Sequence, residues 1–175
     1  MKEILEQAKG WLSDTFDSET RTEIQQLIDS NSEDLADRFY KNMEFGTGGM
    51  RGIMGAGTNR INKYTLGKAT QGLSNYLHKS FPKKDLKVAI AFDCRHNSKE
   101  FSKLVADVLS ANNIQVYLFE DLRPTPELSF AVNYLNCDAG IVLTASHNPP
   151  EYNGYKVYWN DGGQIVPPQD AGIIN

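Results

Sequence analysis

Between residues 88 and 144 short apolar runs alternate with longer helix-periodic ones, and this alternation restricts the fold more than any other feature. Residues 88–92 (VAIAF), 114–119 and 139–144 have the length and apolar content of buried strands. Residues 101–109 and 126–135, between them, have helical spacing, with Ser98 a candidate cap for the first helix. Strand, helix, strand, helix, strand is the pattern of right-handed crossovers onto a parallel sheet. A fourth apolar segment, YKVYW at 155–159, follows the third strand too closely for a helical crossover and is expected to run antiparallel. The predicted fold is therefore α/β: a three-layer α/β/α arrangement around a mixed, mainly parallel sheet of about four strands.

The flanking segments read differently. Residues 64–77 form a helix with Leu66, Ala69, Leu73 and Leu77 on one side, ended by Pro82 and the two lysines after it. Before it, FGTGGMRGIMGAGTNRIN (45–62) carries six glycines and neither a helical nor a strand period. Such a stretch is either a flexible connector or backbone that needs positive φ or a close approach. Residues 1–42 have helical spacing throughout, as in Ile4, Leu5, Ala8, Trp11 and Leu12, with Ser18 and Ser32 as candidate caps. The expected organisation is a helical N-terminal extension (1–42) with polar outer faces and no assigned chemistry, then an α/β/α domain (43–175). The final PPQDAGIIN reads as a turn and the start of a helix, so the chain is expected to be cut from a longer protein.

Composition narrows the function classes. A net charge of −4 supplies no global basic field, which argues against a nucleic-acid or membrane-surface partner. No stretch approaches the roughly 18 apolar residues of a membrane span, and the charged start is unlike a secretory signal. Cys94 and Cys137 lack the spacing of a zinc site or a disulfide framework and are expected to be reduced thiols of a cytoplasmic protein.

Ligands of open α/β sheets bind where the parallel strands end. Two loops leave strands there, Asp93-Cys94-Arg95-His96-Asn97-Ser98 and Thr144-Ala145-Ser146-His147-Asn148, each a polar cluster directly after an apolar run. Known motifs fail: Gly67-Lys68 is followed by Ala69 with Asn62 where a phosphate loop needs glycine, neither glycine pair completes GxGxxG, and Ser146 lacks the flanking glycines of a hydrolase elbow. A serine at a strand mouth beside His147, with Arg51, Arg95 and Lys156 able to fold to the same edge, suits a phosphoryl group, whose charge of about −1.5 to −2 needs several cations. The plainer readings are a turn serine, a local Asp93–Arg95 ion pair and an outward-facing strand lysine. The residues alone thus reach a phosphate-handling α/β domain.

The same residues resemble a known family. Thr144-Ala145-Ser146-His147-Asn148-Pro149 is similar to the TASHNP serine motif of the α-D-phosphohexomutases, the phosphoglucomutase/phosphomannomutase superfamily. Phe45 to Gly52 is similar to its FGTxGxRG motif, Asp93-Cys94-Arg95 with Ser98 to its DxRxxS loop, and Gly154-Tyr155-Lys156 to its GxK element. The order matches over roughly 40–170, and the long glycine-rich form looks most like the branch that includes phosphopentomutases.

The resemblance implies that Ser146 carries the phosphoryl group, passing it to a hexose phosphate, glucose first, through a bisphosphorylated intermediate such as glucose 1,6-bisphosphate. His147 and Lys156 would assist proton transfer and charge stabilisation. Arg51, Thr47, Gly48, Arg95 and Asn148 would bind phosphate or substrate, and Mg²⁺ would bind through the phosphate on Ser146. Phosphopentomutase, phosphomannomutase, sugar-bisphosphate synthase and a non-catalytic phosphate-binding domain are the alternatives. The family's metal loop of DGDxDR type and its later sugar loops have no match here; Asp161-Gly162-Gly163 is the nearest and differs. The chain is thus expected to be the first domain of four, inactive as a mutase alone, with the remaining domains of its own chain as partners.

Overall fold

The computed structural model describes residues 2–82 and 84–174; the outer domain bounds at 1 and 175, and Lys83 in the helix-ending stretch, lie outside the described residues. In chain order the elements are α1 (Lys2–Gly10), α2 (Ser18–Asp29), α3 (Asp34–Phe39), β1 (Gly49–Ile53), α4 (Lys63–Ser80), β2 (Lys87–Phe92), α5 (Ser98–Ala111), β3 (Gln115–Leu118), α6 (Thr125–Tyr134), β4 (Ala139–Leu143), β5 (Tyr152–Trp159) and α7 (Gln169–Ile174). The strands form one sheet in the order β1-β5-β4-β2-β3. The β2–β3 and β2–β4 pairs are parallel and β5 is antiparallel to both β4 and β1, so four of the five strands point one way. No described helix is long and apolar enough to cross a membrane.

This order decides which face each helix covers. Going from β1 to β2 and from β2 to β3 carries the chain one way across the sheet, and going from β3 to β4 carries it back. Right-handed crossovers then put α4 and α5 on one face and α6 on the other. On the first face Leu66, Leu73 and Leu77 of α4 and Val105 and Leu109 of α5 meet Val88, Ile90, Ile141, Leu143, Tyr155 and Val157. Each such fully buried aliphatic side chain stabilises the fold by about 1.5–3 kcal/mol. The alternate residues Ala89, Ala91 and Val142 face Leu128 and Val132 of α6.

The fifth strand corrects the expectation of about four. It lies in the glycine-rich stretch, where glycines at positions 49 and 52 erase the alternation that marks a strand. Gly49 is required: its φ is +126°, and a Cβ there would fall 1.9 Å from the Tyr155 carbonyl oxygen. All three predicted caps also move. Asp17, not Ser18, caps α2, accepting from the Glu19 and Thr20 amides, and α5 begins from Asn97 in the left-handed region while the Ser98 hydroxyl bonds to Asp93. At α3 the capping residue is Glu33, although Ser32 Oγ accepts from the Asp34 amide at 3.3 Å.

The three N-terminal helices are docked. Ala8, Trp11, Ile24, Leu35 and Phe39 bury a small core with Ala56 of the glycine-rich loop, and Tyr64 of α4 packs against it. Charge ties the same seam: Arg60, almost fully buried, pairs with Asp34 at 2.6 Å and Asp37 at 2.8 Å, and Arg38 bridges Glu23 and Asp34. Asp17 adds a further tie, accepting from Tyr64 Oη and from Lys63 Nζ at 2.8 Å. Burial raises the Asp17 pKa, but the hydrogen bonds from Lys63, Thr20 and Tyr64 outweigh it and hold the carboxyl well below the usual carboxylate range.

Asp17→Asn keeps the shape and removes the charge. A carboxyl with a depressed folded pKa contributes stability that is present above its unfolded value of about 4 and lost as pH falls through the folded pKa. Thermal melts at pH 7 should therefore put the variant below wild type by about 1 kcal/mol, with the gap closing as pH drops below about 4. A gap that ignores pH would rule the carboxylate out as its source.

Candidate anion-binding site

α6 packs against β2, β4 and the near edge of β5, so the outer part of its face, at β5 and β1, carries no crossover helix. Strand alternation turns Arg51 of β1 and Tyr152, Gly154 and Lys156 of β5 onto that face. Gly49 pairs with Lys156 and Arg51 with Gly154, so Arg51 and Lys156 are diagonal neighbours. They line an open cleft of about 610 Å³, whose walls also include Thr144 and Gln164. Neither cation has an ion pair or a side-chain hydrogen bond among the described residues. Between them, Gly154 has no room for a side chain: a Cβ would lie 2.7 Å from the Thr144 carbonyl oxygen and 2.8 Å from that of Met50. Two cations with no ion pair among the described residues, on one open face, have the charge an anion would need.

The serine loop rises from the adjoining strand end. The Thr144 amide donates to the Gly154 carbonyl at 3.1 Å, and the buried Thr144 Oγ1 accepts the Ser146 N–H at 3.0 Å. Ser146 is exposed with φ +57°, a left-handed conformation that costs a residue with a Cβ about 1–2 kcal/mol. The other non-glycine residues with positive φ among those described are all asparagines, Asn31, Asn97, Asn113 and Asn136. Ser146 Oγ lies 3.1 Å from His147 Nδ1, which puts a proton acceptor or donor on the hydroxyl.

Arg95 takes a place that spacing could not reveal. Its Nη1 donates to the carbonyls of Pro149 (2.8 Å) and Tyr152 (3.0 Å), and its Nη2 to those of Ser146 (2.8 Å) and Asn148 (2.5 Å). Nε faces Asp93 at 3.6 Å. The guanidinium is thus committed to the serine loop, and the expectation that Arg95 binds phosphate gives way to a role inside the protein. The Asp93–Arg95 ion pair of the plainer reading exists, as the longest of these contacts.

The remaining predicted residues divide. Thr47 and Gly48 also line the cleft, in the tight turn between Gly46 and Gly49 that leads into β1. The Thr47 hydroxyl faces Asp170 at 3.4 Å, and the Gly48 backbone bonds to Ile165 and Val157. Asn148 sits in the serine loop outside the cleft, its amide on the Ala145 carbonyl at 3.1 Å. The N-terminal extension, assigned no chemistry from sequence, supplies Asp37 and Lys41 to the cleft wall, where Lys41 pairs with Glu44 of the following segment at 3.0 Å. Helix-periodic residues in a separate segment gave no signal of that contact.

A model of the phosphoglucomutase/phosphomannomutase alpha/beta/alpha domain I matches residues 42–175. The chain is 44% identical over 173 residues to a human phosphopentomutase, covering 93% of this chain and 28% of that protein. It is 44% identical over 151 residues to a phosphoglucomutase of Staphylococcus epidermidis, covering 79% and 27%. A solved chain from Thermus thermophilus superposes with a TM-score of 0.70 at 30% identity, covering 77% of this chain and 29% of that one. A phosphoglucomutase/phosphomannomutase family protein of Burkholderia thailandensis superposes at 0.62 and 27% identity, covering 74% and 28%. The chain thus spans a little over a quarter of the length of these relatives.

Strain at residue 146 has a measurable signature. Glycine adopts the left-handed conformation freely but loses about 0.5–1 kcal/mol to its more flexible unfolded state. Thermal melts should place Ser146→Gly at or above wild type and above Ser146→Ala, which keeps the strain. A glycine variant less stable than the alanine variant would show that residue 146 is not strained.

Proposed function

Since this chain belongs to the phosphoglucomutase/phosphomannomutase family, we propose that Ser146 is the phosphoryl-carrying residue of a phosphosugar mutase and that Arg51 and Lys156 seat the phosphate it exchanges. The observation that carries this reading is the pair of cations with no ion-pair partner among the described residues, facing an open cleft beside the strand end that presents Ser146. In the exchange, the Ser146 Oγ–phosphorus bond breaks as a sugar hydroxyl oxygen bonds to phosphorus. The sugar oxygen passes its proton to solvent in the open cleft, and Oγ takes one from His147, 3.1 Å away. Such transfers depend on positioning and charge neutralisation more than on covalent chemistry. Arg51 and Lys156 supply the charge from two hydrogen-bonded strands, which hold them at a fixed separation.

The substrate proposed is a hexose phosphate, glucose first, with glucose 1,6-bisphosphate as the intermediate. A pentose phosphate is the second reading, favoured by the phosphopentomutase that matches 93% of the chain. Among the described residues no three His, Cys, Asp or Glu side chains group to hold a metal ion. Of the described residues, only Ser146, through its phosphate, would hold the Mg²⁺ that the resemblance implies.

Incubation with glucose 1,6-bisphosphate or a pentose 1,5-bisphosphate, followed by intact-mass analysis and peptide mapping, tests the reading. One phosphoryl group should appear on Ser146 and none on Ser146→Ala. Arg51→Gln or Lys156→Gln should slow the uptake by about 10²–10³-fold, as expected on removing a preorganised electrostatic contact. Steady turnover by the chain alone should be small beside that of its longer relatives. Tight bisphosphate binding with no phosphoryl group on Ser146 would make the domain a binding module instead.

A further inference from the structure

We propose that Arg95 is a positioning residue for Ser146, a clamp that holds the serine loop in its strained form by bonding the carbonyls gathered behind it; this rests on Ser146 being the phosphoryl carrier. The segment from 146 to 152 turns the carbonyls of Ser146, Asn148, Pro149 and Tyr152 toward one point, and the Arg95 guanidinium occupies it with four N–H···O contacts of 2.5–3.0 Å. Left alone, four converging carbonyl dipoles would repel one another and open the turn that presents Ser146. The arginine gives all four a donor and so fixes the loop. It fits because a planar fork with five donors can reach four acceptors in different directions, whereas a lysine ammonium has three donors on a flexible stem.

The clamp is itself held. Asp93 Oδ1 accepts the Arg95 amide at 3.0 Å and the Ser98 hydroxyl at 2.9 Å, and Asp93 Oδ2 faces Arg95 Nε. Ser98 Oγ accepts from Nδ2 of the fully buried Asn153 at 3.0 Å, and the same Nδ2 reaches the His96 carbonyl at 2.9 Å. Asn153 Oδ1 accepts the amide of Gly154, which is the register partner of Arg51 and lies two residues before Lys156. One connected set of bonds therefore orders the serine loop and the strand that bears a phosphate-seating cation. A set of this kind acts on where the serine sits, not on how strongly phosphate is attracted.

Amide hydrogen exchange by mass spectrometry on wild type, Arg95→Lys and Arg95→Gln, with thermal melts as the fold control, separates the two roles. Exchange across 146–152 should accelerate by at least about tenfold in both variants, since hydrogen bonds to a charged group are lost in each. Phosphoryl uptake by Ser146 from glucose 1,6-bisphosphate should slow to a similar degree in both, while the bisphosphate concentration giving half-maximal rate stays the same. Wild-type exchange and uptake in Arg95→Lys, with weakened bisphosphate affinity in Arg95→Gln, would overturn the proposal and make Arg95 a charge contact. If wild type takes up no phosphoryl group, the carrier reading fails while the exchange data still decide the clamp. Should Arg95→Gln not fold, Ser98→Ala removes the hydroxyl linking Asp93 to Asn153 and should give a smaller acceleration over the same segment; no acceleration there would count against the clamp.

Discussion

The cleft exists because β5 returns beside β4 through a loop too short to carry a helix. Residues 144–151 can only turn back, so β5 runs antiparallel and recruits β1 antiparallel to itself. Each parallel connection elsewhere lays a helix on the sheet, and this one does not. The face next to α6 therefore stays open over its last two strands, and whatever side chains alternation puts there meet solvent. The same short return makes the loop that presents Ser146 and leaves it at the strand ends, where three chain segments converge on Gly154.

A short return under these constraints cannot be relaxed everywhere. Carbonyls that would normally bond along a strand are gathered around Arg95, and the backbone at Ser146 adopts a conformation that the chain elsewhere assigns to asparagine or glycine. The left-handed backbone at Ser146 costs stability, and the bonds around Arg95 hold it in place. Their position beside two cations unpaired among the described residues fits a site in which local strain and an internal cation are retained for the geometry they impose.

The parallel core was legible because its strands are apolar on both faces and its helices carry a clear period, as in Leu66, Leu73 and Leu77. β1 was not, because a strand with two glycines and one core-facing methionine has no alternation to read. Motif positions singled out Ser146, Arg51, Lys156 and Arg95 together, but spacing says which residues share a loop and not which way a guanidinium turns. Arg51 and Lys156 face the cleft through strand parity, whereas Arg95 faces inward because four carbonyls await it. The wall contributed by Asp37, Lys41 and Glu44 was illegible for a different reason: it depends on how the docked helices meet the glycine-rich loop, a contact set by the Arg60 ion pairs and the Trp11 cluster.

The pairing of Gly49 with Lys156 has a consequence for the order of assembly. β1 comes before every other described strand in sequence, yet its partner Lys156 lies more than a hundred residues after Gly49. The parallel trio and its helices join segments closer together and can gather first, since loop closure favours short separations. On a chain made from its N-terminus, Arg51 has no seat until Gly154 has emerged. The cleft is then the last region to take shape, completed when an early strand closes against a late one.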